Sequence, residues 1–137
     1  MGPLSHKTCG WEMRLAKAVQ TAHQTPFKWS VHDCPTFAFG LRAALTGLDA
    51  TQAWVGRYDS LRSGLRLMRT LGWASYQAMG SALLGDPLAS VFAAQRGDIV
   101  LGPRGGFGVV LGQEVVGMTQ AGLMTMPLAA CPLGWRV

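Results

Sequence analysis

Phe27-Lys28-Trp29-Ser30-Val31-His32-Asp33-Cys34-Pro35-Thr36-Phe37 carries a loop into the start of a helix. Asp33 is a capping residue, whose carboxylate can take a free N–H of the first turn. Pro35 falls inside that turn, where its missing N–H is tolerated. Cys34 therefore stands at a helix N-terminus, where free N–H groups concentrate about half a unit of positive charge and favour thiolate over thiol. Nucleophilic cysteines are built this way, so Cys34 is the candidate nucleophile, vestigial if it lacks a partner; the plainer reading is a small buried apolar residue at a helix–sheet contact. Such a nucleophile also needs a base or an orienting histidine. The chain has His6, His23 and His32, and none after residue 32.

Outward from this stretch, the first half reads as helices. Trp11, Leu15, Ala18, Val19 and Ala22 form one apolar stripe, and Thr25-Pro26 ends that helix. The helix capped by Asp33 carries Phe37, Ala38, Leu41, Ala44 and Leu45 on one side, with Gly47 as its stop. Asp59 or Ser60 opens a third helix, with Leu61, Leu65, Met68 and Leu71 expected inward and Gly72 closing it. A shorter helix runs from Tyr76 to Leu84, broken by Gly85-Asp86-Pro87. After Gln95 the pattern becomes short strands. Arg96-Gly97-Asp98 turns into Ile99-Val100-Leu101, a second strand spans Phe107 to Leu111, and Gly112-Gln113 turns into Glu114 to Thr119. Leu123 to Met126 and Trp135 to Val137 supply further strands. Helices followed by an antiparallel meander predict an α+β fold, with N-terminal helices packed on a small antiparallel C-terminal sheet.

The 137 residues are expected to form a single domain, with residues 1–9 a flexible N-terminal tail. Hydrophobic residues make up 49% and charged residues 14%, which excludes a disordered chain. The net charge of +5 comes from scattered cations, Arg14, Lys17, Arg42, Arg57, Arg62, Arg66, Arg69, Arg96 and Arg104, with no run of like charge, so nucleic acid is not an expected partner. Cys9, Cys34 and Cys131 have no close spacing, which argues against a metal site, an iron–sulfur cluster or a disulfide framework. No cofactor is expected. The N-terminus lacks the pattern of a signal peptide, and no apolar run reaches the length of a membrane span, so a reducing cytoplasm is the expected compartment of synthesis. His32 is the nearest base candidate for Cys34, provided the loop folds its ring back over the thiol. His23 suits the C-terminal dipole of the first helix. The five tryptophans, Trp11, Trp29, Trp54, Trp73 and Trp135, read as core or interface anchors.

The order Trp29, Asp33-Cys34, Gly97-Asp98-Ile99-Val100 and Gly108-Val109-Val110-Leu111-Gly112 resembles the NlpC-type papain-like cysteine peptidases. More closely, the chain resembles small phage proteins, encoded among tail genes and distantly related to those peptidases. The likeness adds Trp11, Phe27-Lys28-Trp29, Thr46-Gly47, Gly56-Arg57-Tyr58 and the ending Gly134-Trp135-Arg136-Val137, and it covers residues 11–137. The resemblance implies a degenerate papain-like fold. It also implies that the catalytic histidine of the peptidases would fall at Gly106 or Phe107, and neither accepts a proton. The next polar orienting residue has only Gln113, Glu114, Thr119 or Gln120 as candidates. Without a general acid the leaving amine is not protonated, and turnover falls by orders of magnitude.

The resemblance therefore implies a structural or assembly component of a bacteriophage tail tip, an interaction module lacking hydrolase activity. Its partners would be other tail proteins, such as the distal tail protein, the baseplate hub or the central fibre, in a multi-copy complex. It would reside in the virion after assembly in the host cytoplasm. The alternative is an active cysteine peptidase or amidase acting on cell-wall peptides or on a tail protein, with Cys34 as nucleophile. A third class is a binding module for a small molecule or acyl group in a vestigial cleft.

Overall fold

Asp33 spans the first turn of the second helix, its Oδ1 accepting the Thr36 N–H at 3.1 Å, as the sequence predicts. In a computed structural model that describes residues 4–137, four helices precede a five-stranded sheet. They are α1 (Trp11–His23), α2 (Cys34–Thr46), α3 (Leu61–Thr70) and α4 (Tyr76–Leu84), followed by β1 (Ile99–Leu101), β2 (Phe107–Val110), β3 (Glu114–Thr119), β4 (Gly122–Pro127) and β5 (Leu133–Trp135). Every pairing is antiparallel, in the order β4-β3-β2-β1-β5. The fold is α+β. Gly47 ends α2 in the left-handed conformation, and Ser60 opens α3 through a capping box with Ser63. Among the described residues no helix is long and apolar enough to cross a membrane.

The period of two along the strands sorts two cores. Ile99, Leu101, Phe107, Val109, Val116, Met118 and Trp135 face the helices, whereas Val100, Val110 and Val115 face the other way. That second face is covered by the 3-10 turns Val91–Ala93 and Leu128–Ala130, which bring Val91 and Leu128 onto it. Both faces of the central strands are thus dry. α2 is apolar nearly all round because it is sandwiched, with α1 on one side and β2 and β3 on the other. Phe107 sits at the centre of the aromatic core, 5.2 Å from Phe39 on α2, 5.2 Å from Tyr76 on α4 and 6.3 Å from Trp135 on β5. Trp54 and Trp135 are fully buried, and Trp11, Trp29 and Trp73 pack partly buried against the same core.

Two expectations change, and the N-terminal arm makes specific bonds to the fold. Leu61 and Leu65 are 52% and 42% exposed, so Met68 and Gly64 are the buried residues of α3. The short helix touches the core along a narrow line, and Tyr58 fills the space beside Gly64. The last strand is Leu133–Trp135, not Trp135 to Val137. Its ladder with β1 runs Ile99↔Trp135 to Leu101↔Leu133 and stops where the Val137 N–H turns aside to the Asp98 carboxylate. Within the described part of residues 1–9, Lys7 and Thr8 bond to the fold. Lys7 places its ammonium 2.9 Å from Asp98 Oδ1 and donates to the Val137 carbonyl, while the Thr8 N–H bonds the Leu45 carbonyl at 2.9 Å.

Asp98 accounts both for the end of β5 and for the bonding of the N-terminal arm. It is wholly buried. Oδ1 accepts from Lys7 Nζ and from the Val137 N–H, each at 2.9 Å. Oδ2 accepts the Gln95 N–H at 2.8 Å and lies 3.0 Å from Arg136 Nε. Gly97 precedes it at φ +87°, and a side chain there would strike Lys7 Cε at 2.7 Å. A buried carboxylate is tolerated only when its lone pairs are taken, and here all the partners come from outside its own strand. Asp98→Ala strands two cations and a buried N–H, so it is expected to lower unfolding stability by about 3–5 kcal/mol. Chemical denaturation with an unchanged denaturant slope is the check, and a loss within about 0.5 kcal/mol, the usual size of a surface substitution, would show that the cluster is dispensable.

Candidate functional site

The loop before α2 is closed on itself. Lys28 and His32 exchange backbone hydrogen bonds at 3.1 and 2.8 Å, and Ser30 between them takes φ +63°, a left-handed conformation unusual for serine. The Ser30 N–H donates to Asp33 Oδ2 at 2.9 Å, and the Ser30 hydroxyl accepts the Gly56 N–H at 3.1 Å. Tyr58 donates its hydroxyl to the same Asp33 oxygen. Trp54 donates from Nε1 to the Thr36 hydroxyl at 3.1 Å. Asp33 is therefore more than a cap. One buried carboxylate fixes the loop, the helix start and the segment before α3, and so fixes where Cys34 points.

Cys34, the first residue of α2, stands where two adjoining clefts meet. One, of about 380 Å3, runs beside Met118, Met124 and Met126; the other, of about 330 Å3, is bordered by Phe27, Trp29, Leu61 and Tyr76. Arg104 and Gly106 belong to both. The Phe107 backbone N–H and the Tyr76 hydroxyl lie close enough to the sulfur to favour its anion. A side chain on Gly106 would begin 3.6 Å from that sulfur and meet nothing else within 4 Å. Phe107 offers only its N–H, because its ring is committed to the core. The strand-start position singled out in the sequence thus lies beside Cys34, and Gly106 is the residue of the pair that a side chain could use to reach it.

The electrostatics favour the thiol over the thiolate that a bare helix start would support. Burial pushes the Cys34 thiol up to about 12, and the negative charge of Asp33 adds to the rise; the Phe107 N–H and the Tyr76 hydroxyl oppose it without prevailing. The helix N-terminus is worth too little here, since its effect is typically below about 1 kcal/mol and Asp33 already occupies it. Tyr58 and Tyr76 are also held protonated, Tyr58 by burial and by its bond to Asp33, Tyr76 by burial and by the neighbouring Cys34 and Asp33. Cys34, Tyr58 and Tyr76 are thus all held in their neutral forms.

His32 is not brought to Cys34. Its ring packs edge-on against Phe37, with centroids 6.1 Å apart, and it lines a separate groove of about 640 Å3 between α1 and α2 with Arg14, Lys17, Ala18 and Leu41. His32 Nδ1 is buried without a partner. His23 closes α1 and His6 is exposed on the N-terminal arm, so no histidine lines either Cys34 cleft. Of the polar candidates one strand on, Gln113 and Glu114 lie exposed at the β2–β3 turn, whereas Thr119 and Gln120 border the cleft. Thr119 spends its hydroxyl on the Gly122 carbonyl at 2.8 Å. Cys9 is exposed, Cys131 is buried on the far face of the sheet, and the described residues hold no group of three or more His, Cys, Asp or Glu suited to a metal. Sequence reasoning missed Tyr58 and Tyr76 as members of the site. Their spacing of 25 and 42 residues from Asp33 and Cys34 leaves no local signal.

A model of the family described as "Domain of unknown function (DUF6950)" matches residues 6–137. The chain belongs to this family. The match takes in all four helices and all five strands, together with Lys7, Asp33, Cys34 and Asp98. No curated protein and no solved structure matches the chain.

The raised thiol carries a pH prediction. The folded thiol keeps its proton above the ordinary value of 9.0, so the fold binds more protons than the unfolded chain between that pH and about 12. Its contribution is intact below pH 9.0 and is lost as pH rises towards about 12. The melting temperature should decline above pH 9.0, and less steeply in Cys34→Ala, with Tyr58 and Tyr76 sustaining the remaining slope. Iodoacetamide should label Cys34 slowly at neutral pH. Rapid labelling there, lost in Cys34→Ala, would show that the thiolate is accessible after all.

Proposed function

We propose that this chain is a structural or assembly component of a bacteriophage tail tip, a degenerate NlpC-like module that binds partner proteins and does not hydrolyse peptides. The observation that carries the non-catalytic reading is Gly106. In the family the chain resembles, a histidine at the start of the corresponding strand activates the cysteine. Here that position lies beside the Cys34 sulfur with no side chain at all. Burial holds the thiol protonated, and its nearest side-chain partner, Tyr76, is a neutral phenol. A peptidase needs a group that takes the thiol proton and returns it to the leaving amine, and the one carboxylate among the described residues bordering these clefts, Asp33, is already taken by the Ser30 and Thr36 N–H groups and the Tyr58 hydroxyl.

The tail assignment rests on the resemblance in motif order along residues 11–137, which includes Phe27-Lys28-Trp29, Asp33-Cys34, Arg96-Gly97-Asp98 and Gly134-Trp135-Arg136-Val137. The structure gives three of these motifs a mechanical purpose, since Asp33 fixes the loop, Asp98 fixes the N-terminal arm and Trp135 fills the core. In this reading the partners are the distal tail protein, the baseplate hub or the central fibre, and the module is assembled in the host cytoplasm and carried in the virion.

Two experiments test the proposal. Mass spectrometry of purified virions should find the chain in tail fractions, and its absence from both virions and tail intermediates would sink the tail role. Gly106→His should lower the apparent pKa of Cys34 from about 12 and accelerate its alkylation at neutral pH, because the new ring starts 3.6 Å from the sulfur. Cleavage of cell-wall peptide stems by the unaltered protein, abolished in Cys34→Ala, would overturn the non-catalytic reading in favour of the peptidase.

A further inference from the structure

α3 gathers what the linear sequence scatters. Arg62, Arg66 and Arg69 recur at i, i+4 and i+7 and fall on one exposed stripe of the helix. Among the described residues the ion pairs are the two on Asp98, so none of the three guanidinium groups is paired. Leu61 and Leu65, 52% and 42% exposed, border the stripe on the same solvent face. Arg62, Leu65, Arg66 and Arg69, with Thr70, line a shallow concavity of about 630 Å3. Asp59, just before the helix, is occupied with the Ser63 hydroxyl and does not neutralise the stripe.

The leucines beside the row offer apolar contact that a nucleic-acid backbone does not use, and three arginines fall short of the roughly four to eight cations of a lipid-binding cluster. A second copy of this chain is a poor occupant. The exposed acids Glu12, Asp49, Asp59, Asp86 and Glu114 sit on different elements or loops and form no complementary row. What fits is a partner surface that is itself amphipathic, with carboxylates about one helical turn apart and apolar side chains alongside. Guanidinium groups suit this role because each presents a planar fork to a carboxylate. Single exposed pairs contribute little, so recognition depends on the row of three acting with the apolar contact.

We propose that the exposed face of α3 docks an acidic amphipathic segment of a partner protein, with Arg62, Arg66 and Arg69 pairing its carboxylates and Leu61 and Leu65 covering its apolar side chains. Leu61 also borders the smaller Cys34 cleft, whereas Arg62, Leu65, Arg66 and Arg69 lie outside both Cys34 clefts, so the proposal uses no thiol chemistry and stands whether or not the tail assignment does.

The test uses a fluorescent helical peptide of about 15 residues, long enough for a few turns, with Glu at i, i+4 and i+7 and Leu between them. A second peptide with Gln for Glu, a short DNA duplex, and phosphatidylglycerol vesicles are the comparisons. The Glu peptide is expected to bind saturably and to weaken about tenfold in Arg62→Glu/Arg66→Glu and again as ionic strength rises from about 50 to about 300 mM. Leu61→Ser/Leu65→Ser should weaken it at constant salt. All four side chains are exposed, so unchanged melting temperatures verify that the variants fold. Equal binding of the Glu and Gln peptides, no saturable binding of either, or tighter capture of DNA or vesicles through the same arginines would each overturn the proposal.

Discussion

The Asp98 carboxylate is the constraint on which the rest of the structure hangs. It sits at the entrance to β1, at the edge of the aromatic core, with no exposure to water. Left alone it would be costly to bury, so the chain must deliver partners to it from both directions. Lys7 arrives from before α1, crossing Gly97 closely enough that no side chain would fit there. Arg136 and the Val137 N–H arrive from beyond β5. Because β5 is held beside β1, Trp135 is held under Gly80 of α4 and against Phe107. Phe107 in turn fixes the backbone N–H that meets the Cys34 sulfur. The position of the cleft is therefore decided some distance from the cleft.

A second buried carboxylate governs the loop side. Asp33 occupies the first turn of α2, the Ser30 backbone and the Tyr58 hydroxyl at once. Each of these bonds draws on the same local positive potential that would otherwise favour an anion on Cys34. A helix start can support a thiolate or satisfy a structural carboxylate next door. Here the carboxylate has taken it, and burial does the rest. The position has the shape of a nucleophile's seat and the electrostatics of a core residue.

Much of the architecture was legible in the sequence, and the reasons are local. Asp33, Ser60 and Gly47 mark helix ends through bonds and dihedrals made within four residues, and Ile99 to Leu101 declares a doubly buried strand by having no polar face. The outward turn of Leu61 and Leu65 was hidden because apolar spacing records which face is greasy, not whether anything covers it. The protonation of Cys34 was hidden because it depends first on how deeply the finished fold buries the sulfur, which residue spacing does not record. The candidate site was legible as a place, Cys34 opposite Gly106, but not as a charge state. His32 was misleading for a geometric reason: neighbours two apart at a helix start diverge, and its ring follows Phe37 into the α1–α2 groove.

The Asp98 cluster also determines how the molecule would carry a load. Ser5 and Lys7 both bond the Val137 carbonyl, so the two extremities of the described chain meet across a few ångströms. Tension applied between them would be borne first by that knot of ion pairs and hydrogen bonds, in series with nothing else. The sheet and the aromatic core would feel no strain until the knot parted, and the N-terminal arm would then peel away before any strand separated. Tension applied between α3 and either extremity would instead run through Tyr58, Asp33 and the core. The same protein is thus soft in one direction of pull and stiff in another, a directional compliance set by a single buried carboxylate.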